Sequence, residues 1–215
     1  MNAWTAADHP RGDGGRFKTK AHTEPEGGLA KPGSTASKRR VIWDGTVEWV
    51  TADEVLHRLD GPAVVTADGT GMWYQHGAVH RVGGPAVIRP DGTQEWWFHD
   101  RMHREDGPAF TAANGDKEWL CDSQYHRADG PAIMRTDGTH EWWLRGRRHR
   151  VGGPAVVRAS GYEAWWLNGE LHRADGPAIV HPDGTLEWWG NDERKEPEIE
   201  AMLTMMWLAR TPSEA

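Results

Sequence analysis

A His-Arg pair recurs every 23 residues, at His57, His80, His103, His126, His149 and His172. Imidazole and guanidinium at a fixed spacing offer three chemistries: a ladder of metal sites, a strip of anion sites, or a brace inside each structural unit. Metal coordination needs several His, Cys or acidic ligands converging on one point. Histidines in one column, about 9 Å apart if each copy advances by two strands, do not converge. No metal and no cofactor is therefore expected. In four copies an acid (Asp60, Asp106, Asp129, Asp175) stands two residues after the Arg, close enough to orient it, whereas the other two copies read H-R-V-G-G. Buried polar groups are normally hydrogen-bonded, so the six histidines read as structural braces, and an anion-binding strip is the competing reading.

Each copy also carries an E-W-W or a near relative of it. Adjacent strand residues point to opposite faces, so a sheet must either cover both aromatic columns or expose one. The second column, Tyr74, Trp97, Trp143, Trp166 and Trp189, flanked by Glu95, Glu141 and Glu187, is the candidate binding face. Exposed aromatics of this kind can act as hot spots for a protein partner, stack sugar rings, or hold a quaternary ammonium group. The competing reading is that both columns only fill a core. One further cluster, Arg145, Arg147, Arg148 and Arg150, crowds a single turn and is a candidate anion contact, against the plainer reading of a solvated turn.

Catalysis finds little support. The chain has no G-x-S-x-G, phosphate loop or H-E-x-x-H, and its single cysteine, Cys121, sits at a variable position of a repeat. An array offers one surface many times, not a constellation of unlike groups, so the expectation is no enzyme.

The elements that must position these residues follow from the repeat itself. Each copy reads H-R-x-(D/G)-G-P-A, a short apolar run, usually D-G-T, then E-W-W and a second turn, and a fixed period of this length marks stacked copies of one unit. Proline at a strand start followed by Val, Ile or Met indicates strands. Asp-Gly is the residue pair of a two-residue hairpin. Placed as the two central residues, it predicts Val64 opposite Trp73, Val87 opposite Trp96, Phe110 opposite Trp119, Ile133 opposite Trp142, Val156 opposite Trp165 and Ile179 opposite Trp188, on a core face. The other face would set Ala63, Ala86, Ala109, Ala132, Ala155 and Ala178 against the second column. A second turn at His76-Gly77, Arg145-Gly146 or Asn168-Gly169, with poorer versions at His99-Asp100 and Asp122-Ser123, reverses the chain again. The fold class expected is all-β: an elongated repeat array of antiparallel β-hairpins over 41–195, with a half copy at 41–56 and full copies from 57, 80, 103, 126, 149 and 172.

Two segments flank the array. Residues 1–40 are rich in Gly, Pro, Ser, Thr and Lys and poor in large apolar groups, so they cannot offset their ordering entropy and are expected to be a disordered basic leader. Residues 196–212 change to helical spacing: Ile199, Met202, Leu203 and Met206 form one stripe behind Pro197, which predicts an amphipathic helix capping the array. The net charge of −7 is carried by the array, since the leader is basic. Nucleic acid or anionic lipid contact is thus expected only through the leader or the Arg145–Arg150 turn. No apolar run is long enough to span a membrane, and no secretory signal opens the chain. With one cysteine, the expectation is a cytoplasmic protein.

The period, the glycine-marked turns, the aromatic strand starts and the closing N-G-x-x-H, clearest in Asn168-Gly169-Glu170-Leu171-His172, resemble the MORN repeat. The stretch from His9 to Glu26 resembles a leader found ahead of small proteins of actinobacterial phages and other mobile elements. The MORN resemblance implies a β-hairpin sheet acting in protein association or scaffolding, in some members in lipid contact, and among bacterial variants in antitoxin-like inhibition of a partner. The function expected is a non-catalytic protein-binding module, with self-association as a further contact. A small-ligand or glycan receptor using the Trp column, or an antitoxin-like inhibitor, is the alternative.

Overall fold

The computed structural model describes residues 37–196, and every regular element in them is a β-strand. The segment before residue 37, which holds most of the expected leader, and the expected capping helix beyond residue 196 lie outside the described residues. The first strand, Lys38–Val41, begins ahead of residue 41 and pairs with Val47–Val50 of the half copy.

Fifteen strands form one sheet whose pairs are all antiparallel, in an order that advances steadily along the chain. In the copy that opens at His57, Val64–Val65 pairs with Gly71–Met72, which pairs in turn with Val87–Ile88 of the next copy. Between them, Tyr74–Gln75 and Ala78–Val79 make a separate small hairpin. This alternation repeats to the end, with two chain reversals in each period. It is the antiparallel hairpin array that the turn spacing predicts.

The two reversals use different geometry, and the Asp-Gly turn departs from expectation. Thr66 N–H bonds the Thr70 carbonyl and Gly69 N–H bonds the Thr66 carbonyl, so the loop has three residues, Ala67, Asp68 and Gly69. Only the glycine has positive φ, +90°. This is a type I turn closed by a left-handed glycine, the common three-residue hairpin. The aspartate selects it by accepting a hydrogen bond from the backbone N–H two residues on: Asp68 Oδ1 from Thr70 (3.0 Å), Asp91 from Thr93 (2.8 Å), Asp137 from Thr139 (2.7 Å) and Asp183 from Thr185 (2.9 Å). The two-residue turn occurs at the other reversal, where both residues are left-handed, as at Asn168 (φ 54°) and Gly169 (φ 95°).

An added loop residue shifts the pairing by one, and a one-residue slip exchanges faces. Val64 stands opposite Met72, Val87 opposite Glu95, Phe110 opposite Glu118, Ile133 opposite Glu141, Val156 opposite Ala164 and Ile179 opposite Glu187. The predicted pairing of this aliphatic row with the first Trp column is therefore wrong. The row shares its face with the glutamates and, two residues further on, with the second aromatic column. A buried cluster of Val156, Ala164 and Ile179, packed by Tyr162, Trp166, Leu171 and Trp189, lies on that face. The first Trp column takes the other face, and the alanines face it: Trp73 N–H bonds the Ala86 carbonyl at 2.8 Å, and Trp96 that of Ala109 at 2.7 Å. Ala63, Ala86, Ala109, Ala132, Ala155 and Ala178 are all 0% exposed. A small residue against a large ring is thus realised with the opposite ring of each pair.

Candidate functional site

The face of the first Trp column is built by a three-layer clamp that explains most of the H-R-x-(D/G)-G-P-A signature. Each arginine guanidinium lies over the first tryptophan of the preceding copy, at 4.1 Å for Arg58 on Trp49, 4.0 Å for Arg81 on Trp73 and 3.8 Å for Arg150 on Trp142. Its Nη1 donates to the carbonyl of the Pro four residues on, as in Arg58 to Pro62 (3.2 Å) and Arg150 to Pro154 (3.0 Å). The invariant glycine before that Pro closes the clamp. A Cβ there would come within 2.8 to 3.1 Å of the guanidinium carbon in every full copy, so no larger residue fits without displacing the arginine.

The histidines brace each copy from its first residue to its own second turn. Nδ1 of His57 accepts from His76 N–H (3.1 Å), His80 from His99 (3.3 Å), His103 from Asp122 (3.2 Å), His126 from Arg145 (3.3 Å) and His149 from Asn168 (3.1 Å). Each bond reaches the left-handed first residue of the second turn. The series ends at His172, whose buried Nδ1 has no partner among the described residues. Burial holds His57 and His126 below the usual histidine range, with the Arg145 charge adding to the effect at His126. Where the second turn lacks glycine, its side chain takes up a backbone donor of the previous copy. Asp100 accepts from Val79 N–H at 2.7 Å, and Ser123 Oγ from Met102 N–H at 3.0 Å.

On the opposite face the second column is pinned to the glutamates. Trp97 Nε1 donates to Glu95 (2.8 Å), Trp143 to Glu141 (3.0 Å) and Trp189 to Glu187 (3.1 Å). Tyr125 O–H donates to Glu118 at 2.9 Å, and burial together with that carboxylate pushes the phenol up to about 12. The carboxylates are paired in turn with Arg89, Arg135, Arg148 and His181. Copies that depart from the pattern show its logic. Tyr74 has Met72 in the glutamate position, with O–H to Sδ at 4.0 Å. Trp166 has Ala164 there, and its buried Nε1 has no partner among the described residues.

Tyr74, Trp97, Trp143, Trp166 and Trp189 thus share one face, half-buried and in register. Neither Trp column is fully exposed; the exposed tryptophan among the described residues is Trp43. The four arginines of the crowded turn do not share a surface. Arg148 pairs with Glu141 and lies against Trp143 (5.0 Å) and Trp166 (5.4 Å), Arg150 is clamped on Trp142 on the opposite face, and Arg145 and Arg147 are exposed at the turn.

Groups that could approach a metal meet at His103, Cys121 and Asp122, with ligand atoms within 4.8 Å of one another. His103 Nδ1 already accepts from Asp122 N–H, and burial pushes the Cys121 thiol up to about 11. Metal binding there would have to displace both. A depression of about 370 Å³, lined by Thr66, Asp68, Thr70, Met72 and Arg89 among others, lies over the turns near the first copy. Among the described residues no helix is long and apolar enough to cross a membrane. Comparison with protein-family models and with curated proteins returns no match.

Proposed function

We propose that the array is a non-catalytic, MORN-like protein-binding module that grips its partner with the face carrying Tyr74, Trp97, Trp143, Trp166 and Trp189. The observation that carries this reading is the hydrogen bond from Nε1 of Trp97, Trp143 and Trp189 to the glutamate two residues before. A ring oriented before binding loses little rotamer freedom on contact, which is how aromatic anchors become hot spots. Repetition along the sheet multiplies the contact. The seat of Arg148 between the Trp143 and Trp166 rings favours a partner that presents lysine or arginine, and it also favours the second reading, a small quaternary ammonium ligand. A cytoplasmic setting goes with either reading, since one cysteine forms no intrachain disulfide.

The test is affinity capture from the native host, followed by mass spectrometry, with wild type, Trp97→Ala/Trp143→Ala, and Arg147→Ala as a control away from the face. The double variant should lose the captured protein while its circular dichroism stays that of a folded array. Unchanged capture by the double variant would overturn the aromatic face, and a thermal shift with choline in place of any captured protein would select the small-ligand reading.

A further inference from the structure

The six clamped arginines are not equivalent. In four copies an aspartate two residues on accepts from the guanidinium Nε: Asp60 from Arg58 (2.8 Å), Asp106 from Arg104 (2.8 Å), Asp129 from Arg127 (2.9 Å) and Asp175 from Arg173 (2.9 Å). In the two H-R-V-G-G copies, Gly83 and Gly152 replace that aspartate. Both have φ of +77°, and a Cβ on either would meet nothing within 4 Å. Arg81 and Arg150 nonetheless sit as the others do, on their tryptophan and with Nη1 on the proline carbonyl at 2.9 and 3.0 Å. Among the described residues neither has an ion pair, whereas the other four each give their Nε–H edge to a carboxylate.

We infer that Arg81 and Arg150 form two matching notches that each bind a carboxylate, supplied by an acidic side chain of a partner protein. The four complete copies show the occupied state. There the aspartate side chains are 75 to 84% exposed over guanidinium groups that are only 21 to 25% exposed. The carboxylate position is therefore on the outside, reachable by a group from another molecule. The guanidinium is already fixed by its ring and its proline carbonyl, so a ligand pays little to order it. Beside each notch stands an apolar side chain turned to solvent, Val82 at 75% and Val151 at 79% exposed. A carboxylate flanked by an apolar residue matches that pair, which is why a protein side chain fits better than a free acid. The notches lie three periods apart on the face opposite the aromatic column, on the order of 30 Å along the sheet, so this surface is separate from the one proposed above.

The experiment is a titration of the full chain at pH 6 and constant ionic strength, following the Nε–H signals of Arg58, Arg81, Arg104, Arg127, Arg150 and Arg173. The probes are acetate and an end-blocked peptide, Ala-Leu-Glu-Leu-Ala. Arg81 and Arg150 should shift saturably, with a Kd for acetate on the order of 10 to 100 mM and roughly tenfold tighter binding of the peptide through the valines. The other four should barely move. Equal affinity for both probes would keep the notches and assign them to free carboxylic acids. Six signals moving alike, or none moving at Arg81 and Arg150, would overturn the inference without recourse to any variant. Asp60→Gly should add Arg58 to the responding set. A silent Arg58 in Asp60→Gly would also count against it.

Discussion

The two tryptophans of an E-W-W are neighbours in sequence, yet they meet opposite surroundings. Trp142 lies beneath Arg150, whose guanidinium is held by Pro154 and covered by Gly153. Trp143 is held at one atom, Nε1 on Glu141, with Arg148 against its ring. The first ring is a layer in a stack that ties two copies together, and the second is an oriented group on a surface. Alternation of side chains along the extended chain produces this division without any change of residue type. What differs is the partner that each face supplies: a cation from the next copy, or an anion two residues earlier in the chain.

The contrast is broken most severely at the first ring. Trp142→Ala removes the layer under Arg150 and the ring facing Ala155, and should cost about 2 to 4 kcal/mol, near the lower part of the range for large aromatics because the ring is half-buried. Trp143→Ala should cost less than half of that. Urea midpoints of the two variants decide it; equal losses would mean that the second column is as structural as the first. Because arrays couple chiefly between neighbours, hydrogen exchange should show the damage from Trp142→Ala concentrated in the copies on either side.

How much of this was legible in the sequence depends on the distance between a residue and its partner. The period, the two reversals and the antiparallel pairing are all written locally, in Asp-Gly and Asn-Gly and in runs of apolar residues. The register was not, because Asp-Gly serves both hairpin types. The deciding contact is Asp68 with the N–H of Thr70, so the threonine of D-G-T was the available signal for the three-residue loop. The histidines could be assigned a role inside the fold, but not their partners, which lie in the following turn. Arg58 finds Trp49 in the previous copy, and no spacing rule within a single copy names that pair. Arg148 belongs to a basic cluster in the sequence, yet it ends a strand against Trp143, whereas Arg150, past that strand's end, lies over Trp142 on the other face.

A smaller effect tests the histidine bonds that brace each copy to its second turn. His57 and His126 accept a backbone N–H at Nδ1 and are held below the usual histidine range by burial. Where the folded value is lowered, the unfolded chain binds more protons. Stability from these two groups is therefore fully present above about pH 6.5 and is lost as pH falls from there through the lowered folded value. Thermal melts between pH 7.5 and 5 should show a decline of about 1 to 2 kcal/mol in all, equivalent to losing up to two such hydrogen bonds. His126→Asn places an amide oxygen that cannot titrate near the Nδ1 position and should flatten part of the slope. A slope unchanged in that variant would remove His126 as its source.

The smallest effect sharpens the comparison within the second column itself. Trp143 has its glutamate, whereas Trp166 has Ala164 and a buried N–H with no partner among the described residues. The same copy carries Tyr162 where four other copies have threonine, and this ring packs against the Val156, Ala164 and Ile179 cluster, with Arg158 over it at 4.8 Å. The arginine that meets a carboxylate in other copies, as Arg89 meets Glu95, here meets an aromatic face. Ala164→Glu alone would have to displace that ring, so the informative variant is Ala164→Glu with Tyr162→Thr, which restores the local pattern of its neighbours. A made hydrogen bond from Trp166 contributes about 1 kcal/mol, offset in part by the lost packing of Tyr162, so a gain of about 0.5 kcal/mol over Tyr162→Thr alone is expected. The measurement is the difference in urea midpoint between those two variants, with the indole N–H of Trp166 followed by NMR. If the N–H signal moves downfield and stability does not rise, the glutamates orient the rings without stabilising the array, and their placement beside the second column serves the binding face alone.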